Sequence, residues 1–136
     1  MSEYQGIQQQ LNTISSEWNK QLDKMEEEID QLKEDFEAKK ILYTEELKKQ
    51  KQQEIQNKVQ QRQQYLDEKF GADGEYFEKQ KELLEPIQRK VFDAINKVAN
   101  DQNVDFVFDR AQNSSMLYGE QEWNLNKEVL QELGIR

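Results

Sequence analysis

Carboxylates dominate the groups in this sequence that could do chemistry: 28 Asp and Glu stand against 19 Lys and Arg, with no His and no Cys. Two arrangements of them invite a chemical reading. The run "GADGEYFEKQKE", residues 71–82, has the outline of a calcium loop around Gly74. It lacks acidic ligands at alternate positions ahead of that glycine and a Glu at the closing position counted from it, so no metal site is assigned. Asp105 and Asp109 would share one face of an extended stretch, with Val107 between them, and read as a solvent-facing edge. The serines, Ser2, Ser15, Ser16, Ser114 and Ser115, have no base that the pattern brings near, and acid–base catalysis has lost its commonest residue types. The chain therefore reads as no enzyme, with no cofactor. Lys39 and Lys40 fall at a predicted bend, where contact with an anionic surface competes with the ordinary reading of a solvated helix end; the second is favoured.

The elements that would carry these groups follow from composition and periodicity. Apolar and charged residues each make up 35% of the chain, and the net charge is −9. Such a chain builds no large core, and its average field repels nucleic acid and anionic membranes. No run of 18 apolar residues is present, which predicts no stable membrane insertion, and no basic-then-apolar leader follows Met1. Without Cys, both cytosol and periplasm remain open.

From Tyr4 the series Tyr4, Ile7, Leu11, Ile14, Trp18, Leu22, Met25, Ile29, Leu32, Phe36 advances by threes and fours, predicting one helix over about 3–38 with a coiled-coil seam. The repeated step of four between Trp18 and Leu22 is a stutter. A sparser series, Leu47, Ile55, Val59, Leu66, Phe70, then Phe77, Leu84, Ile87, Val91, Ile95, Val98, predicts a returning helix over about 44–101. A bend at about 39–43 gives an antiparallel hairpin; the alternative is one unbroken helix pairing with another chain. Folding about residue 40 or 41 lays the acidic run from Glu26 to Glu37 against the basic run from Lys48 to Arg62, which selects the hairpin. Eight of the fifteen residues from Gln50 to Gln64 are Gln, predicting a thinly packed outer arm. Gly71 and Gly74 predict a kink near 71–74, or small residues facing the region of Gly6 to Leu11, and Pro86 predicts a second bend or the start of a new helical segment.

The rhythm changes within "NKVANDQNVDFVFDR", residues 96–110. Val104, Phe106 and Phe108 alternate with polar positions, predicting strands at about 104–109 and 116–118. A final helix over about 126–133 has Asn126 as N-cap and Gly134 as stop. The organisation expected is thus a helical hairpin arm, residues 1–97, and a small β body, residues 98–136. That body is near the size below which a domain needs a metal, disulfides or oligomerisation, and only the last is open to it.

The stretches "IQRKVFDAINKVANDQNVDFVFDR", residues 87–110, and "MLYGEQEWNLNKEVLQELG", residues 116–134, resemble the carboxy-terminal half of the Skp/OmpH family of periplasmic chaperones. The resemblance implies a mainly α fold with a small β body, in a jellyfish-shaped homotrimer whose helical hairpins enclose a cavity. The family's signal peptide and first β-strand have no counterpart before Met1, so the sheet is expected to lack one strand. By the same resemblance the chain would be periplasmic and would hold unfolded outer-membrane proteins without ATP. Met25, Ile29, Leu32, Phe36, Ile55 and Val59 would then meet clients along the arm. Val104, Phe106, Phe108, Leu117 and Tyr118 would build the oligomeric body. The competing reading is a structural or tethering coiled coil with a fixed partner, which the sparse seam from Leu47 to Leu66 disfavours.

Overall fold

In the computed structural model, which describes residues 2–135, the chain is mainly helical. Helix α1 spans Ser2–Lys39, α2 Glu45–Phe70, α3 Glu75–Asp101 and α4 Asn126–Glu132. Two compact units result: Gly6–Glu82, and a second made of the first turn of α1 with everything from Leu83 on.

In the first unit, α1 supplies all the buried apolar side chains: Leu11, Leu22 and Ile29. Eleven residues separate the first two and seven the last two, so the line drifts little around the helix, because an eleven-residue repeat overshoots the α-helical period slightly and a heptad undershoots it. A 3-10 turn, Lys40–Leu42, ends α1, and its Lys40 carbonyl accepts the Tyr43 N–H at 3.2 Å. Thr44 then caps α2: its hydroxyl accepts the Leu47 N–H at 3.2 Å, while Glu45 and Glu46 favour the positive end of the helix dipole. α2 buries no residue at all.

The break between α2 and α3 depends on glycine. A Cβ on Gly71 would sit 2.3 Å from the carbonyl oxygen of Asp67, and one on Gly74 would meet the Gly71 nitrogen at 2.9 Å. The chain doubles so closely on its own backbone that a side chain has no room at either glycine. The charge runs do face each other, but about a different centre. Glu26 meets Arg62 and Trp18 meets Phe70, which puts the midpoint at residue 44, not 40 or 41. The 3-10 turn and the Thr44 cap take up the difference.

In the second unit, Ile87, Ala94 and Val98 are buried on α3. The helix passes through Pro86 without interruption, so no new helical segment starts there. Both helix ends close in the same way. Asn103, at φ 53°, donates to Asn100 while Val104 donates to Ala99; Gly134, at φ 69°, donates to Gln131 while Ile135 donates to Leu130. These are Schellman closures, each requiring one left-handed residue. α4 begins one residue after Leu125, with the Asn124 side chain accepting the Asn126 N–H at 3.0 Å, so Asn124 and not Asn126 supplies the side-chain oxygen.

The strands expected at 104–109 and 116–118 are not formed: among the described residues there is no strand, and no main-chain hydrogen bond joins the two stretches. An isolated two-stranded ribbon is marginal in water, and here turns take the backbone instead. Asp109 accepts the Ala111 N–H at 2.9 Å through its carboxylate, and Asn113 accepts the Ser115 N–H at 3.2 Å. Asp109 is therefore a turn former.

Candidate functional site

Along the hairpin, α2 answers the apolar stripe of α1 with cations. The Arg62 guanidinium lies 2.7 Å from Glu26, and Lys58 lies 3.5 Å from Glu28. Lys51, Lys58, Arg62 and Lys69 are all part-buried, so their aliphatic stems cover ground that a permanent coiled coil would give to Leu or Ile. At the tip, Ile41 and Leu42 are almost fully exposed.

The residues expected to meet clients divide by burial. Ile29 is buried; Met25, Leu32, Phe36 and Ile55 are part-buried; Val59 is exposed. Phe36 also packs on Tyr43, ring centres 6.2 Å apart. Val59 is the only one of the six that is exposed.

At the other end of the arm is a cluster that periodicity did not reveal. The Lys69 ammonium lies 2.6 Å from Glu75, across the helix break, and 5.0 Å and 5.5 Å from the ring centres of Trp18 and Tyr65. Phe70 meets Trp18 edge-on at 5.6 Å and Tyr76 at 6.0 Å. The hydrogen bond to Glu75 raises the Lys69 pKa above its ordinary 10.5, outweighing the opposing effect of burial. Lys69 reads in sequence as one more basic residue; the aromatic density of "QYLDEKFGADGEYF" was the available signal.

In the second unit, Phe106 is 77% exposed, Leu117 90%, Tyr118 77% and Trp123 72%. Phe92 and Phe108 are also largely exposed. Of the five residues expected to build the body, only Val104 is part-buried, its N–H tied to the end of α3. Scattered exposed apolar residues are normal, but between Phe92 and Trp123 large ones are numerous. Polar contacts here join distant parts of the sequence: Lys97 pairs with Glu132 at 2.6 Å, which raises the lysine pKa, and Lys90 pairs with Glu3 at 2.8 Å.

Among the described residues no group of His, Cys, Asp or Glu has the arrangement to hold a metal ion, and no helix is long and apolar enough to cross a membrane. Large exposed apolar side chains are thus few along the arm apart from Ile41 and Leu42 at its tip, and numerous in the terminal region.

No curated protein matches this sequence. A family model described as Outer membrane protein (OmpH-like) matches residues 1–133, thus both the arm and the terminal region. The chain belongs to the OmpH-like family.

Proposed function

We propose that this chain is an ATP-independent holdase chaperone of the periplasm, which binds unfolded outer-membrane proteins in a cavity between helical arms and prevents their aggregation. Membership of the OmpH-like family supports this reading. The observation that carries it is the row of exposed Phe106, Phe108, Leu117 and Tyr118, in a segment patterned for strands that one chain leaves unpaired. Copies of the chain would supply the missing ladder partners, giving a homotrimer with a small β body. Fixed-partner tethering is the weaker alternative, since the arm already pairs with itself through Glu26–Arg62, Glu28–Lys58 and Trp18–Phe70.

Clients would be held by many shallow contacts, whose sum exceeds any one of them. Val59 is open to such contacts directly, the part-buried Met25, Leu32, Phe36 and Ile55 by their edges, and Ile29 only if the helices part. The test is suppression of aggregation of an unfolded β-barrel protein without ATP. A form lacking residues 25–63, closed by a short loop between Lys24 and Gln64, is expected to assemble normally by light scattering and to protect nothing. Full protection by the shortened form would place client binding elsewhere.

A further inference from the structure

The break at residues 71–74 is held open by its own backbone: Gly71 donates to Asp67 at 2.8 Å, Gly74 to Gly71 at 2.9 Å, and Glu78 to Gly74 at 3.3 Å. None of these bonds runs from α3 into the regular body of α2 beyond its last turn, so the backbone alone leaves the angle between the two helices loosely set. The side chains around it come from three helices: Trp18 from α1, Tyr65, Lys69 and Phe70 from α2, Glu75 and Tyr76 from α3. Lys69 and Phe70 both reach α1 and α3 from α2, Phe70 through its ring and Lys69 through its charge. Its side chain is 18% exposed, the least among the ion-paired residues described, where the next, Arg62, is 30%. Reduced exposure strengthens both the ion pair and the cation–ring contacts relative to the open pairs elsewhere on the arm.

We infer that Lys69 is the positioning residue of the arm: by bridging Glu75 to the faces of Trp18 and Tyr65 it fixes the bend between α2 and the start of α3, and with it the range of client sizes accepted. The second half rests on the chaperone reading above; the first does not. Lys69→Met keeps the length and apolar stem but loses the charge, while Lys69→Arg keeps the charge and the capacity to lie over a ring. Glu75→Gln removes the ion pair and leaves the ring contacts in place.

Spin labels at the exposed Gln60 on α2 and Lys81 on α3 read the bend by pulsed dipolar spectroscopy. A narrow distance distribution is expected for the otherwise unaltered chain and for K69R, a distribution at least twofold wider for K69M, and an intermediate one for E75Q. Circular dichroism checks that helicity is kept; should K69M lose it, E75Q decides alone. Unaltered widths in the folded variants overturn the clamp. In parallel, K69M is compared with the unaltered chain against β-barrel clients of graded size: a shifted size profile is expected, and an unchanged profile beside a widened distribution overturns the link to clients. Failure of the unaltered chain to protect any client would instead refute the holdase reading and leave the distance result standing.

Discussion

Arg62 reaches Glu26 at 2.7 Å from the opposite helix of the hairpin, thirty-six positions away in sequence. With Trp18 against Phe70, this pair fixes the register of the arm about residue 44. Spin labels at Gln31 and Asn57, opposite each other under that register, should lie within about 20 Å in one chain. An unbroken helix over the same 26 residues would separate them by about 39 Å at 1.5 Å per residue.

Charge reversal should act on this register gently. R62E is expected to destabilise the arm by up to about 1 kcal/mol, since exposed pairs contribute little more, and the swapped double variant E26R/R62E should recover part of the loss. Thermal melts of the four forms at low and high salt measure both effects, and the coupling should shrink as salt rises.

Alkaline pH should undo the Lys69 contact. Because its folded pKa lies above the ordinary 10.5, the stabilisation is complete below 10.5 and disappears as pH climbs through the raised value. The groups facing it are Glu75, Glu68 and the Tyr65 ring. The difference in melting temperature between the unaltered chain and K69M should therefore hold steady from neutral pH to about 10.5 and then close. A difference that grew with pH would contradict the contact.

The glycines should respond in opposite directions. Nothing lies within 4 Å of a Cβ at Gly6, inside α1, so G6A should stabilise the chain by roughly 0.8–1 kcal/mol. At Gly71 the added carbon meets the Asp67 carbonyl at 2.3 Å, and G71A should destabilise by about 1–3 kcal/mol as the turn is forced open. Chemical denaturation of the two variants compares them directly.

Phe106→Ser and Phe108→Ser remove side chains that one chain leaves 77% and 61% exposed. Far-ultraviolet dichroism of the dilute chain should stay the same, while light scattering should show weakened self-association. A fall in helicity without any change in association would point to a role inside the single chain.

The helices were legible because the apolar series contains the buried Leu11, Leu22 and Ile29 of α1 and Ile87 and Val98 of α3, whereas the buried Ala94 lies outside it. The hairpin was legible in kind from its opposed charge runs but not in register. Charge runs are tolerant of a shift of three or four residues, whereas the 3-10 turn at Lys40–Leu42 and the Thr44 cap are not. The alternation at Val104, Phe106 and Phe108 is a strand pattern, but a strand exists only with a ladder partner, and pattern alone does not supply one within the chain. The Lys69 cluster escaped because its members come from three helices, and its geometry depends on a glycine turn whose direction no periodicity encodes.

The absence of any buried side chain on α2 bears on how this protein can change over generations. Most substitutions that unfold a protein act by opening cavities or stranding buried polar groups, and a helix of 26 residues without a buried position offers few targets of either kind. Its heritable constraints reduce to helix-forming tendency, a few cations opposite α1, and solubility. Saturation mutagenesis should find α2 far more permissive than α1, with two thirds or so of its positions accepting nearly any residue but proline and glycine. Such a segment is free to drift, and the surface it presents can be rewritten without endangering the fold that carries it.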